Sequence, residues 1–186
     1  MADPIEPSPV WKAAPRLCPQ RPFPPYRFTP GSNPHPRQNP KGHAYGRAED
    51  KPAYLPPERW GENELYLFGI DLYHQGYLWE SHEAWESLWH LTDKEGVEGQ
   101  FLQGLIQNAA ALLKVHLKQW EGARHLSREA HRRLQFAAMR RPARFMGIEL
   151  VKLLCDVEAY YLPLWEGKDA VEGGPPALVL GPFPQL

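Results

Sequence analysis

Fifteen of the chain's 21 prolines fall in the first 57 residues, and none occurs between Pro57 and Pro142. A proline inside a helix removes a backbone donor and clashes with the preceding turn. The gap therefore marks where helices can form, and the opening segment cannot be a run of regular helix. Three regions follow: a proline-rich extended arm over residues 1–59, a helical domain over 60–166, and a tail over 167–186 that returns to turns and a short apolar stretch. The arm carries Tyr26, Phe28 and Tyr45, more aromatic surface than a free linker needs, so part of it is expected to pack across the helices.

Within the proline-free stretch the apolar residues recur at helical spacing. The periodicity predicts helices over about 62–74, 77–91, 97–118, 122–139 and 144–161. Gly76 breaks the first, the polar loop TDKEG ends the second, Pro142 separates the fourth from the fifth, and Pro163 closes the fifth. No strand-like alternation competes. The fold class is all-α, a compact bundle of about five helices with an extended arm. At 186 residues and 42% hydrophobic content a single domain with an ordinary core is expected. No stretch approaches the roughly 18 apolar residues of a membrane span. The start, MADPIEPSPVWK, is acidic and proline-rich where a signal peptide would be basic and then apolar, so the expected compartment is the cytoplasm. Cys18 and Cys155 match no metal-ligand spacing and are expected to be free thiols.

The chemistry concentrates in WESHEAWESLW, residues 79–89, and in the glutamines that follow. Projected at 100° per residue, Leu78, Trp85, Leu88 and Trp89 form one apolar arc of the second helix. His82 lies at the edge of that arc with Glu86 beside it, while Trp79, Glu83 and His90 share the next strip. The third helix has a wide apolar arc and a narrow polar stripe of Gln100, Gln103, Gln107, Lys114 and Lys118. Net charge is only −1, but residues 61–113 hold one base against nine acids and residues 114–152 hold ten bases against three acids, so an acidic half is expected to meet a basic half.

These residues carry a family resemblance. GIDLYHQGYLWESHEAWESLWHL, followed by QFLQGLIQNAAALLKVHLKQWEGARHLSREAHRRL, resembles the bacterial domain-of-unknown-function family number 309. The shared pattern is an aromatic-x-x-His-Glu-x-x-Glu-x-x-Trp helix, then Gly-Leu-Ile-Gln, over about residues 65–134. PYRFTPGSNPHPRQNPKGHAYG resembles the N-terminal extension of longer members, with its Pro-His-Pro and Gly-His-aromatic steps at His35 and His43. The resemblance implies a compact helical fold and no agreed activity. One departure is that Tyr73 and His74 stand where the pattern has Phe and Asn.

The string HEAWE excludes two readings. A zinc peptidase needs a second histidine four residues after His82, where this chain has Glu86; a carboxylate-bridged di-metal bundle needs Glu-x-x-His pairs, and three residues before His82 stands Trp79. What remains is an imidazole and a carboxylate at i and i+4 able to face one point. With His35 and His43 arriving from the arm, His82 and Glu86 could hold a divalent metal. Without a metal, His82, Glu83 and Glu86 could serve proton transfer in a hydrolysis, in a pocket walled by Trp79, Trp89, Gln103 and Gln107. Equally, His82 and Glu86 could be a helix-surface pair, the glutamines could tie helices together, and the tryptophans could be core. The partner is then a small molecule or a protein, a second copy of the chain included, and not a membrane. The competing class is a non-catalytic interaction module whose fourth helix, with Arg124, Arg128 and Arg132, binds an acidic partner or RNA.

Overall fold

The computed structural model describes residues 7–10, 15–48, 51–141 and 143–182. The fold is all-α. After a 3₁₀ turn at Pro57–Glu62 come α1 (Glu64–His74), α2 (Leu78–Trp89), α3 (Val97–His116), α4 (Trp120–Arg140) and α5 (Leu150–Trp165). Each helix packs chiefly on the next in sequence, with α3 against α4 the most extensive pair. Among the described residues no helix is long and apolar enough to cross a membrane.

Local chemistry sets these elements. Asn63 starts α1 by accepting the Tyr66 N–H on its side chain at 3.1 Å, and Gly76 makes the turn into α2 with φ of +77°, where a Cβ would also strike the Ser8 carbonyl of the arm at 2.7 Å. Trp85 is wholly buried; its indole donates to the Tyr66 carbonyl at 3.2 Å. That ring lies so close to α1 that a Cβ on Gly69 would come within 2.3 Å of its nitrogen. The first two helices are thus locked by a tryptophan against a bare stretch of backbone. α1 is the most enclosed of the helices: every residue from Leu65 to His74 is buried, because the arm covers the side that α2 leaves open.

The fifth helix differs from its expected course at both ends. Residues 144–149 form a two-stranded antiparallel hairpin, Arg144–Phe145 with Ile148–Glu149, turning through Met146 at φ 45° and Gly147 at φ 81°. Two successive positive φ values are the geometry of a tight hairpin turn, and strands of two residues are too short to show alternation in the sequence. At the other end α5 passes through Pro163 and continues to Trp165. The carbonyl that loses its partner belongs to Ala159, on the exposed face, and Arg124 and Arg128 donate to the carbonyls of Leu164 and Trp165, so the last turn is held from outside. The break expected at Pro142 lies outside the described residues.

The tail is anchored by polar groups. The Tyr73 hydroxyl donates to the Pro176 carbonyl at 2.7 Å and accepts from Asn108 at 2.9 Å, and His74 Nε2 accepts the Leu178 N–H at 3.1 Å. Tyr73 and His74, at the end of α1, therefore both hold the C-terminal tail.

Candidate functional site

Two buried carboxylates receive the arm. Asp71 on α1 accepts the N–H groups of Leu17 and Cys18, each at 2.8 Å, with the Arg16 guanidinium 3.7 Å away. The adjoining Cys18 thiol is pushed up to about 11, first by burial and then by the charges of Asp71 and Glu64. Glu80 on α2, only 6% exposed, accepts the Phe28 N–H at 2.9 Å on Oε1, which also lies 3.3 Å from His43 Nε2. Its other oxygen, Oε2, is buried and has no hydrogen-bond partner among the described residues.

Between arm and helices lies a cleft of about 250 Å³. Its helix side is Phe68 and Leu72 of α1 with Trp79, Glu80, Glu83 and Ala84 of α2; its arm side is Arg21, Arg37, His43 and Arg47. Trp79 is framed by arm rings, with Phe28 and His35 each edge-on at 5.3 Å. Arg21 stacks on Phe68 at 4.6 Å.

Three of the expected residues do come together. His82 Nδ1 is 3.6 Å from Glu83 and its Nε2 is 3.9 Å from Glu86, ion-pair distances rather than hydrogen bonds, and one ligand atom from each of the three falls within 4.8 Å of the others. All three are half-buried. Burial pushes the Glu83 carboxyl above the usual range, His82 pulls against the rise and Glu86 adds to it, while Arg37, 3.5 Å away, opposes it. Only Glu83 of the three also lines the cleft.

The arm histidines go elsewhere, and the four-ligand set of His82, Glu86, His35 and His43 is not assembled. His35 Nδ1 accepts the N–H groups of Arg37 and Gln38, both at 3.3 Å, which uses the nitrogen in a turn. His43 faces Glu80 instead of Glu86, held there by a turn in which Ala44 N–H reaches the Pro36 carbonyl at 3.0 Å and by the Tyr26 hydroxyl, which donates to Pro34 and accepts from the His43 N–H. Of the remaining pocket candidates Trp79 lines the cleft. Trp89 lies outside it, beneath the Lys94 ammonium at 3.9 Å from the ring centre. Gln107 accepts from Arg133 of α4 at 3.0 Å and Gln100 does so at 2.9 Å, so this stripe ties α3 to α4; Gln103, half-buried on the same stripe, is not in the cleft wall.

The basic residues of α4 are largely engaged within the molecule. Arg124 and Arg128 cap α5, Arg132 pairs with Glu129 at 2.9 Å, and Arg133 holds the α3 glutamines. The acidic face of α2 meets the arm, through His43 and Arg37, rather than α4.

Residues 66–126 match the model of a family described as Domain of unknown function (DUF309). No curated protein and no solved structure matches the chain. The match covers the helix side of the cleft from Phe68 to Ala84, and the arm side lies outside it.

Proposed function

We propose that this chain, which carries a DUF309 domain over residues 66–126, captures a small polar molecule in the cleft between its arm and the first two helices of that domain. The observation that carries the reading is the cleft itself, about 250 Å³, whose wall includes Glu80, a buried carboxylate with one oxygen that has no hydrogen-bond partner among the described residues. Such an atom loses its hydration on folding and is normally satisfied by protein or by something bound. If a reaction follows capture, it is hydrolysis, with Glu83 as general base: it belongs to both the cleft and the His82 cluster, and burial already raises its proton affinity. Two free cysteines, one of them exposed, suit the reducing cytoplasm.

The test is a screen of small polar fragments against the ¹⁵N-labelled protein, read at the indole N–H of Trp79, with Ser87→Phe, a bulky group at the cleft wall, as control. Fragments should shift Trp79 in the wild type and not in the variant. A screen in which no fragment moves Trp79 would refute capture.

A second reading is favoured by the His82, Glu83 and Glu86 cluster itself. One imidazole and two carboxylates are a sufficient protein ligand set for a divalent ion with water completing the shell. Elemental analysis of the tag-free protein beside a His82→Ala, Glu86→Ala double variant decides it: stoichiometric metal lost in the variant supports a metal site, and metal-free wild type rejects it.

A further inference from the structure

A second cavity, of about 370 Å³, lies where the 3₁₀ turn, the end of α4, the hairpin and the tail meet. Every residue that lines it falls outside the stretch matched to the family. Its apolar walls are Pro57 and Trp60 of the turn, Phe145 and Met146 of the hairpin, and Pro182 of the tail. Pro57 is half-buried and Pro182 is exposed, so both rings are within reach of an entering molecule. The carbonyls of the hairpin turn are already used: that of Met146 accepts from the Tyr66 hydroxyl at 2.8 Å, and that of Gly147 accepts the Gly181 N–H at 2.8 Å. The body of a ligand resting there meets apolar surface and needs no donors of its own.

Charge enters this cavity at Arg141, Arg144 and Glu58, all exposed. Arg141 takes part in no ion pair or side-chain hydrogen bond among the described residues. Arg144 is fixed by packing: its guanidinium lies so close to the tail that a Cβ on Gly181 would fall 2.2 Å from Nη1. Its Nη2 is 3.9 Å from Glu149, beyond hydrogen-bond distance, so its donors too are unused. Two guanidiniums therefore stand beside an apolar wall against one carboxylate, and each offers a planar fork that matches a carboxylate. An apolar molecule would use the wall and neither fork, and a bare inorganic anion would use the forks and none of the wall.

We propose that this cavity binds an organic monocarboxylate with a compact apolar body, its carboxylate at Arg141 and Arg144 and its body against Pro57, Pro182 and the hairpin. The volume sets the size: a cavity of about 150 Å³ holds a benzene ring, so about 370 Å³ admits on the order of fifteen non-hydrogen atoms. The site shares no residue with the cleft between arm and helices, and the two stand or fall separately.

The experiment is titration of the full chain with 2-naphthoate, with 2-naphthalenemethanol as the neutral isostere and acetate as the charge alone. Binding is read at the Trp60 indole N–H and the Gly147 amide, and the Trp79 indole N–H follows the cleft separately. Naphthoate should shift Trp60 and Gly147 to saturation, and the alcohol and acetate should each bind at least roughly tenfold more weakly. Arg141→Glu should weaken naphthoate roughly tenfold, Arg144→Gln should weaken it too, and Glu58→Gln, which removes the opposing charge, should tighten it. All three are changes at exposed positions that leave the core intact. An alcohol that binds as tightly as naphthoate, affinity indifferent to both arginine variants, or no saturable shift at Trp60 and Gly147 would overturn the inference. A shift at Trp79 alone would overturn it as well, and would support capture in the cleft instead.

Discussion

His74 should make the grip on the C-terminal tail depend on pH. The ring is buried at the end of α1, and its Nε2 accepts the Leu178 N–H at 3.1 Å, which only the neutral ring can do. Burial lowers its pKa from 6.5 to about 4. A folded-state pKa below the unfolded one means that the unfolded chain binds more protons between those values. The contribution is therefore complete above pH 6.5 and is lost as pH falls toward 4. From these two values the loss at pH 5 is about 2 kcal/mol, and below pH 4 it approaches about 3 kcal/mol, a large part of a domain's marginal stability.

The comparison that isolates this group is wild type against His74→Asn, which keeps a side-chain acceptor and removes the titrating ring. Urea unfolding at pH 7.5 and pH 5 should show wild type losing about 2 kcal/mol more than the variant, since every other titrating group is common to both. If the tail releases locally before the domain unfolds, the same loss appears as faster amide exchange at Leu178. Stability profiles that stay parallel between pH 7.5 and 4.5, with exchange at Leu178 equally parallel, would refute the assignment of His74 as a buried neutral acceptor.

Asp71→Asn places an amide where two backbone N–H groups need acceptors, so it should cost about 2 to 3 kcal/mol in urea unfolding and expose the arm near Cys18 to proteolysis. Gly69→Ala drives a methyl group into the Trp85 indole and should lower stability by about 1 to 3 kcal/mol, visible as a fall in Tm with altered near-ultraviolet circular dichroism. Arg124→Ala should destabilise by about 1 kcal/mol through the lost contact with the Leu164 carbonyl, measured by thermal unfolding. Labelled RNA should show no mobility shift at low salt, because Arg124, Arg128, Arg132 and Arg133 are held within the protein; a shift abolished by charge reversal of the first three would restore the nucleic-acid reading.

The number and order of the helices are legible in the sequence because the proline-free stretch from 58 to 141 leaves the apolar periodicity uninterrupted and Gly76 supplies the positive φ of the turn between the first two helices. The hairpin before α5 is not legible, since Met146 with a positive φ carries no composition signal and two-residue strands have no period. Pro163 misleads for a related reason. Its cost in a helix depends on whether the freed carbonyl is buried, and that is settled by tertiary packing.

The candidate site divides along the same line between local and distant causes. His82, Glu83 and Glu86 lie within five residues of one another, and helix geometry alone brings their side chains together. Glu80 escapes the same reading: in WESHE it is one more glutamate on a polar face, and only the arrival of Phe28 and His43, 52 and 37 residues away, buries it. The signal that points to it is charge: residues 61–113 carry one base against nine acids, and the arm carries nine bases against five acids up to residue 60. Pairing the acidic helices with the basic fourth helix uses sequence adjacency as the guide. The arm is the better complement because, barred by its prolines from helical hydrogen bonds, it presents backbone N–H groups as well as arginines, and buried carboxylates are acceptors for both. A carboxylate on a helix that faces a proline-rich segment is then a docking point for that segment in its own right, as Asp71 and Glu80 both are.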